Sequence, residues 1–348
     1  MVIDIVSTIF PELESAIPKL LDMISNRIER ERASIIKILE RVEWNASFNR
    51  DLNSCIAIGA DSSFTIVDSR VGTIYVVQGI AIRQTFTRSL IKIEEYNRFY
   101  DAGLISIKSS SPNRIIRRSI YKRALSTYAY LLELQSAYSL AKSGSADVVL
   151  LDGSLISFLM QKDFKGISMN INSISQAKDT ELREVLEKKN ILINELSNLS
   201  NTIFIAKSSS ACFYTNGMYP DMYVFELAKL FRIEPYYRAG YSTPMVIEID
   251  GTLKKFLGID KECGIQFFTV TYSRFADGAP VFQLTLPHKI YIDKVGSLFS
   301  YVKMLSPSGY PMPLEYPHRI SRLARSTLID ILIKIGIPII SGRELVEL

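Results

Sequence analysis

Histidine and cysteine are both scarce in this chain of 348 residues, which has two histidines and three cysteines. The cysteines, Cys55, Cys212 and Cys263, form no CxxC pair, so a zinc ribbon and a disulfide framework are both disfavoured. Two histidines are too few for a histidine-rich metal site. The sequence also lacks a continuous apolar run of about 18 residues and a basic signal region, and we expect a cytoplasmic protein without a membrane span.

The overall composition is that of an ordinary globular protein. Hydrophobic residues make up 47% of the chain and charged residues 22%, which excludes a disordered protein. Lysine and arginine number 41 against 36 acidic residues, giving a formal net charge of +5. This mild excess is compatible with a polyanionic partner such as DNA but does not require one.

The first 45 residues have a helical pattern, with apolar side chains recurring at three- and four-residue steps. Two interpretations remain open for this arm: a solvated surface helix that packs on the body of the protein, or a dimerisation or partner-docking arm. No repeat or low-complexity linker follows it. We therefore predict an N-terminal helical arm over residues 1–45 and a single domain over residues 46–348.

Alternating strand and helix patterns predict an α/β fold. Strand-like runs cover residues 54–60, 73–82 and 103–108, a long helical pattern covers 112–142, and another apolar run covers 148–151. The short connections favour antiparallel pairing of the first strands. The helical crossover lets the run at 148–151 lie parallel to the first strand. This order predicts a mixed sheet of ribonuclease H-like topology with flanking helices.

Two of the predicted strands end on an acid. Asp61 follows the first run in IAIGADSS, and Asp152 follows VVLLDGS. Either acid alone could be a turn residue or a helix cap. Glu133 is harder to explain by structure, because it is the one charged residue between 124 and 141 and its burial would be costly. Three converging carboxylates would suit Mg²⁺ or Mn²⁺, and a pair of such ions could catalyse phosphodiester cleavage.

Further candidate residues lie outside the three acids. Lys207 ends the apolar run 202–206, where it could either extend to solvent or stabilise charge at a phosphate. His318 opens the last predicted helix (residues 319–335), after a predicted loop over 306–318, and could be a general acid, a metal ligand or a packing residue. Arginines on two predicted helices could contact phosphates: Arg114, Arg117 and Arg118 on the long helix, and Arg319, Arg322 and Arg325 on one face of the last.

Two more segments have competing interpretations. Aromatic and basic residues interleave over 219–241, where they could stack unpaired bases or form part of the core. The charge-rich helix predicted over 176–200 is interpreted as a solvated, lid-like or partner-facing element outside the core.

Four segments together resemble the archaeal NurA nucleases: GADSS, LLDGS, IAKSS and SGYPMPLEYPHRISRLAR. The resemblance spans essentially the whole chain, although Ser62 stands where the family has glycine. It implies a ribonuclease H-like homodimer that degrades DNA ends 5′→3′ with Mn²⁺ and also cuts single strands internally. It further implies a hexameric HerA helicase–translocase as partner in end resection for double-strand-break repair, with the archaeal double-strand-break repair nuclease–ATPase complex as a further partner. The metal-binding acids would be Asp61, Glu133 and Asp152, and Lys207, Tyr310 and His318 would complete the site.

Two other functions remain open on the residues alone. A non-catalytic adaptor that binds DNA or loads a ring ATPase would retain the helical arm and the basic surfaces without needing clustered acids. A ribonuclease on the same core would be distinguished from a deoxyribonuclease by its substrate.

Overall fold

The computed structural model describes residues 11–46, 48, 52–69, 72–109, 118–160, 167–173, 180–199, 201–259, 264–290 and 292–337. The helices within these residues are α1 (Pro11–Leu39), α2 (Arg118–Ser143), α3 (Leu155–Leu159), α4 (Leu182–Leu199), α5 (Asp221–Leu230), α6 (Gly251–Leu257), α7 (Ile292–Met304), α8 (Met312–Ser321) and α9 (Arg325–Lys334). The strands are β1 (Trp44–Asn45), β2 (Ser54–Ser69), β3 (Gly72–Thr87), β4 (Ile91–Ser109), β5 (Val148–Asp152), β6 (Ile167–Ser173), β7 (Thr180–Glu181), β8 (Thr202–Ala206), β9 (Gly240–Ser242), β10 (Met245–Glu248), β11 (Phe267–Arg274) and β12 (Phe282–Leu286).

Within the described residues these strands form one mixed sheet. Its order is β1-β9-β11-β12-β8-β5-β2-β3-β4-β6-β7, and β10 pairs with β11 off this path. Strands β2, β3 and β4 form an antiparallel meander, whereas β5 is parallel to β2 and β8 is parallel to β5. The central order β4-β3-β2-β5-β8 confirms the predicted ribonuclease H-like arrangement, including the helical crossover through α2.

The strands of the meander are longer than the sequence pattern predicts. Strand β2 does not end before Asp61 but continues to Ser69, in unbroken pairing with β3. Apolar side chains beyond the acid explain the extension, because Ile66 and Val67 are buried against different hydrophobic clusters, on opposite faces of the strand. Strand β5, in contrast, ends on Asp152 as predicted.

Helix α4 packs on α2, so the prediction that it lies outside the core is wrong. One face of α4 is buried, through Leu182, Val185, Lys189, Ile193 and Leu196. Charged residues other than Lys189 occupy the opposite, more exposed face, for example Arg183 and Glu187, which form an ion pair. The helix is therefore amphipathic, and its dense charge pattern hid a regular apolar stripe.

Helix α8 begins inside the segment predicted to be a loop, so that prediction is wrong. Pro313 lies in the first turn, where a missing N–H has no cost. Pro317 lies inside the helix and cannot donate to the Pro313 carbonyl, which instead accepts a hydrogen bond from Gln84 Nε2 on β3 (3.4 Å). The sheet thus compensates for the proline that made this segment resemble a loop.

Two glycines let helices approach opposite faces of the sheet closely. A Cβ on Gly59 of β2 would collide with the Pro313 carbonyl of α8. A Cβ on Gly79 of β3 would collide with the backbone of α2 at Leu132 and Glu133. Because glycine has no side chain, these two positions determine how closely α8 and α2 approach the sheet.

The predicted helical arm corresponds to α1. Its last turns are part of the core, where Ile35 and Leu39 are buried and Tyr236 Oη donates to the Leu39 carbonyl (2.6 Å). Earlier in the helix, Leu20 and Met23 are exposed. The domain boundary at residue 45 stays a prediction. None of the described helices is long and apolar enough to cross a membrane.

Candidate metal centre

Asp61 and Asp152 lie side by side on adjacent parallel strands. The register pairs Ala60 of β2 with Leu151 of β5, and each acid is the next residue of its strand. Asp152 ends β5, after which Gly153 adopts a left-handed turn with a φ of 132°. The sequence therefore delivers two carboxylates to one place through strand pairing alone.

The Asp61 carboxylate is held by two residues of α8. Nδ1 of His318 lies 2.8 Å from Asp61 Oδ2, and Ser321 Oγ donates to the same oxygen at 2.9 Å. His318 lies in the last turn of α8, so the prediction that it opens the final helix is wrong. This position turns its imidazole toward β2.

Side chains of the sheet fix the end of α8 above Asp61. The Ser321 carbonyl accepts hydrogen bonds from Ser63 Oγ of β2 and from Gln78 Nε2 of β3, the latter at 2.6 Å. This carbonyl belongs to the final turn of the helix, where backbone acceptors lack partners within the helix. Its capture by the sheet positions His318 and Ser321 against Asp61.

The pKa of Asp152 is subject to two opposing effects, burial and a neighbouring cation. Lys207 Nζ donates to Asp152 Oδ2 at 2.6 Å, and His318 Nδ1 lies 3.9 Å from the same oxygen. Burial raises the pKa of Asp152, and the hydrogen bond and charge of Lys207 act in the opposite direction. Lys207 follows β8, which is paired with β5, and this pairing brings Lys207 beside Asp152.

The ring of Tyr310 lies beside Lys207. The ammonium of Lys207 is 4.9 Å from the centroid of the Tyr310 ring, a cation–π distance. Burial raises the pKa of Tyr310 to about 12, so the phenol stays protonated at neutral pH. Its buried hydroxyl interacts with Lys207, which opposes the effect of burial on the pKa. A neutral donor is thus available beside Asp152 and Lys207.

Glu133 reaches the same region from the other face of the sheet. Its side chain is fully buried on α2, and Oε2 accepts a hydrogen bond from Ser62 Oγ at 2.7 Å. Ser62 pairs directly with Gly79, the residue that admits α2, and adjacent residues of a strand face opposite ways. Glu133 therefore contacts Ser62 on the α2 face of the sheet, whereas His318 contacts Asp61 on the α8 face.

The environment of Glu133 strongly disfavours its ionised form. Burial is the main cause of a pKa well above the ordinary value, and the negative charge of Asp61 adds to it. Oε1 is buried with no hydrogen-bond partner within the described part of the chain. A nearby cation would satisfy this oxygen and lower the pKa.

The donor set fits a divalent cation. Asp61, Asp152 and His318 each offer a ligand atom, and these atoms all lie within 4.8 Å of one another. Carboxylate oxygens suit Mg²⁺ and Mn²⁺, and an imidazole nitrogen shifts the preference toward a transition metal such as Mn²⁺. Glu133 is not one of the three, but the charges of Asp61 and Asp152 both act on its buried carboxyl group.

The predicted phosphate-binding arginines are not arranged as expected. Arg319 is on α8, Arg322 lies beyond its end in extended backbone, and Arg325 begins α9, so their placement on one helical face is wrong. Helix α8 ends before Arg322, whose backbone has a non-helical ψ of 124°. Arg114 and Arg117 lie outside the described residues, as does the side chain of Arg118.

The base-stacking interpretation of residues 219–241 is wrong for the aromatic residues that are buried. Phe225, Tyr236 and Tyr241 are buried, and Trp44 contacts both Phe225 and Tyr236 at aromatic packing distances. Trp44, Phe225 and Tyr236 belong to the cluster between α1, α5 and the sheet, whereas Tyr241 packs against Phe299 of α7. Their density in the sequence reflects packing.

Sequence reasoning missed three residues that build the centre: Ser62, Ser321 and Gln78. Ser62 adjoins Asp61, and the alternation of a continuing strand would have predicted that it faces α2. No local signal marks Ser321 or Gln78. Their roles depend on α8 crossing β2 and β3, and that crossing requires contacts between distant parts of the chain.

A family model and several solved structures point to the same family. The family model described as "NurA domain" matches residues 55–323. The NurA nuclease from Sulfolobus solfataricus has a similar structure, with a TM-score of 0.64, 19% identity, and coverage of 94% of this chain and 97% of that one.

Two further solved structures have the same fold. One is NurA with manganese (TM-score 0.61, 13% identity, 94% of this chain and 100% of that one). The other is NurA bound to dAMP and manganese (TM-score 0.57, 13% identity, 92% and 97%). No match was found among curated protein sequences.

Proposed function

The chain belongs to the NurA family, and we propose that it is a Mn²⁺-dependent deoxyribonuclease whose reaction centre is formed around Asp61, Asp152 and His318. The observation that carries this proposal is the convergence of two carboxylates and an imidazole within 4.8 Å. The resemblance to NurA structures that contain manganese and dAMP supports the choice of metal and of substrate class.

Each residue has a role that follows from its contacts. Asp61, Asp152 and His318 would hold the metal, with Glu133 Oε1 as an additional ligand from below. The bound ion would act as a Lewis acid and would lower the pKa of a water nucleophile. Burial lowers the pKa of Lys207, but its contacts with Asp152 and Tyr310 outweigh this effect and raise the pKa overall, so Lys207 stays protonated. It can therefore neutralise negative charge that develops on the phosphate.

Tyr310 and the α8 contacts complete this assignment. The protonated phenol of Tyr310 can donate to a phosphate oxygen beside Lys207. Ser321 and Gln78 hold Asp61 and the end of α8 in one arrangement, so that the ligands need not reorganise. Hydrolysis would place the water oxygen on phosphorus, break the bond to the leaving sugar oxygen and deliver a proton to that oxygen.

We extend the proposal to the biological setting that family membership implies. The chain would degrade single- and double-stranded DNA 5′→3′, cut single strands internally, and act in the cytoplasm in end resection for double-strand-break repair. It would work as a homodimer with a HerA-type hexameric translocase. The exposed apolar residues of α1, including Leu20 and Met23, offer a surface for the second copy.

End-labelled DNA tests the proposal directly. The full chain should degrade linear single- and double-stranded DNA with Mn²⁺, release the label from the 5′ end first, and stop in EDTA. Asp152→Asn should abolish cleavage, whereas Asp330→Asn, an exposed acid on α9, should leave it unchanged. Cleavage that persists in EDTA would contradict a metal-dependent mechanism.

Two results would favour the other functions. Tight DNA binding with no cleavage under any metal, and co-purification with a ring ATPase, would indicate an adaptor. Preferential cleavage of RNA or of RNA–DNA hybrids would indicate a ribonuclease.

A further inference from the structure

Strand β4 exposes an aromatic and basic face beside the candidate metal centre. Tyr96 and Tyr100 are 69% and 68% exposed, and Arg98 between them is also exposed. All three point to the same side, because alternate residues of a strand share a face. Their direct partners on β3 are Ile82, Ile80 and Gln78, which are all buried. Helix α8 therefore covers β2 and β3 at this position but leaves β4 open.

This open face is in register with the catalytic acid. Asp61 pairs with Ile80 on β3, and Ile80 pairs with Arg98 on β4. Directly paired residues lie on the same face, so Arg98 and Asp61 occupy one row of the sheet. With two strand spacings between them, their Cα atoms are about 10 Å apart.

A chain of hydrogen bonds connects the same two residues. Arg98 Nε donates to Gln78 Oε1 (2.8 Å), and Gln78 Nε2 donates to the Ser321 carbonyl (2.6 Å). Ser321 Oγ in turn donates to Asp61 Oδ2 (2.9 Å). The bond to Gln78 uses one of the five guanidinium donors and orients the group. The arginine is thus held toward the centre by the residues that position Asp61.

The acids of β4 do not oppose a negative ligand on this face. Glu95 lies on the α2 side, where it forms an ion pair with Arg83 (2.8 Å). Glu94, near the end of the strand, accepts a hydrogen bond from Thr85 Oγ1 (2.6 Å). Asp101 is buried and accepts hydrogen bonds from the hydroxyls of Tyr75 and Tyr128. Lys207 lies on the other side of the acids, beyond β5. Cations therefore flank the carboxylate pair on both sides along the sheet.

We propose that Tyr96, Arg98 and Tyr100 form a track that binds single-stranded DNA and leads it into the Asp61 centre. The proposal rests on the nuclease function proposed above and specifies where its substrate lies. Exposed tyrosines stack on unpaired bases, whose faces are accessible in a single strand but not in a duplex. Arg98 between the rings would contact a phosphate. The alternation of ring, cation and ring on one face matches the alternation of base and phosphate.

Anisotropy with a fluorescent oligothymidylate in EDTA measures binding without cleavage. The test variants are Tyr96→Leu, Tyr100→Leu and Arg98→Gln in the full chain. Phe99→Leu is the matched control, because Phe99 is an exposed aromatic residue on the opposite face of β4. Arg183→Gln on α4 removes the same charge from the other side of the sheet. Each tyrosine variant should weaken binding by about tenfold. Arg98→Gln should reduce the slope of log affinity against log salt concentration by about one. Both controls should match the wild type.

Kinetics with Mn²⁺ separate the track from the reaction centre. The tyrosine variants should raise KM for a long single strand while leaving kcat nearly unchanged. Hydrolysis of bis(p-nitrophenyl) phosphate, which is too small to reach β4, should be unaffected.

Two outcomes would overturn the track. In the first, all three test variants bind oligothymidylate with the same affinity as the control Phe99→Leu. The other is unchanged affinity with a change in oligomeric state on sedimentation, which would assign this face to a second copy of the chain. Failure of the nuclease function gives a different result: the wild type would cleave neither substrate, while the tyrosine variants would still lose affinity.

Discussion

Nδ1 of His318 lies 2.8 Å from Oδ2 of Asp61, although 257 residues separate the two along the chain. The contact joins the last turn of α8 to the middle of β2. It exists because Gly59 lets α8 approach β2 and because Ser63 and Gln78 hold the helix end. The centre is therefore as dependent on the packing of α8 as on the acids themselves.

Asp61→Asn should abolish cleavage while preserving the fold. The amide keeps the size of the side chain but removes the negative charge that would bind the metal. Loss of a residue that only supports a metal ligand typically reduces metal affinity or activity by about 10–100-fold, so we expect activity to fall by more than about 100-fold here. DNA degradation with Mn²⁺ measures it. Asp68→Asn, an exposed acid on the same strand, should retain full activity, and an active Asp61→Asn protein would refute the metal assignment.

Mn²⁺ should raise the melting temperature of the wild type. A ligand at about 100 times its Kd stabilises the folded state by about 2.7 kcal/mol, which is a shift of a few degrees. Differential scanning fluorimetry with and without Mn²⁺ would detect it. The shift should disappear in Asp152→Asn and persist in Asp330→Asn. An equal shift in both variants would place the binding site elsewhere.

Lys207→Met should reduce kcat more than it affects binding of DNA. The substitution removes the ammonium beside Asp152 that would neutralise charge on the phosphate, and comparable losses cost about 100-fold. Single-turnover cleavage measures the effect. Lys255→Met, at an exposed lysine on α6, is the control for loss of one positive charge. A reduction in affinity alone would show that Lys207 only attracts the substrate.

Gly59→Ala should destabilise the protein and also inactivate it. The added Cβ would collide with the Pro313 carbonyl and push α8, with His318 and Ser321, away from Asp61. Overpacking of this kind costs about 1–3 kcal/mol, which urea unfolding can measure alongside nuclease activity. Gly251→Ala is the matched control, because a Cβ there meets nothing within 4 Å. Normal activity in Gly59→Ala would mean that the centre tolerates displacement of α8.

Lys189→Met should stabilise the protein, most strongly at neutral and acidic pH. Lys189 is fully buried, its ammonium has no hydrogen-bond partner within the described ranges, and burial lowers its pKa to about 7. The unfolded chain therefore binds more protons between about pH 7 and the ordinary lysine value near 10.4. Stability of the wild type should rise with pH across this interval and should be lowest below it.

The methionine variant should lose that dependence and gain up to a few kcal/mol at pH 7. Urea unfolding at a series of pH values would establish both effects. Lys188→Met, at the exposed neighbouring position, should show neither. A wild-type stability that is flat from pH 7 to 10 would contradict the assignment.

Much of the central fold could be predicted because its signals are local. The apolar runs before Asp61 and Asp152 have the composition of buried strands, and the helix between them has the length of a parallel crossover. These features are enough to place the two acids on neighbouring strands. The placement of Lys207 after β8 followed from the same reasoning.

Errors arose where a distant contact overrides a local signal. Pro313 and Pro317 suggested a loop, yet a side chain of β3 satisfies the carbonyl that Pro317 leaves free. Charges on α4 suggested a solvated helix, yet its other face packs on α2. In both cases the determining partner lies on an element that is remote in sequence.

The meeting of Asp61 and Asp152 could thus be predicted from local patterns, because hydrophobic periods indicate the strands and the helix length indicates a parallel crossover. The surroundings of the two acids follow from packing between distant parts of the chain. This packing brought His318 and Ser321 onto Asp61 from one face and Glu133 beneath Ser62 from the other, and it left Tyr96, Arg98 and Tyr100 uncovered. The physical reason is that these relations depend on how closely two helices approach opposite faces of the sheet. Gly59 and Gly79 permit that approach, but no local pattern encodes it.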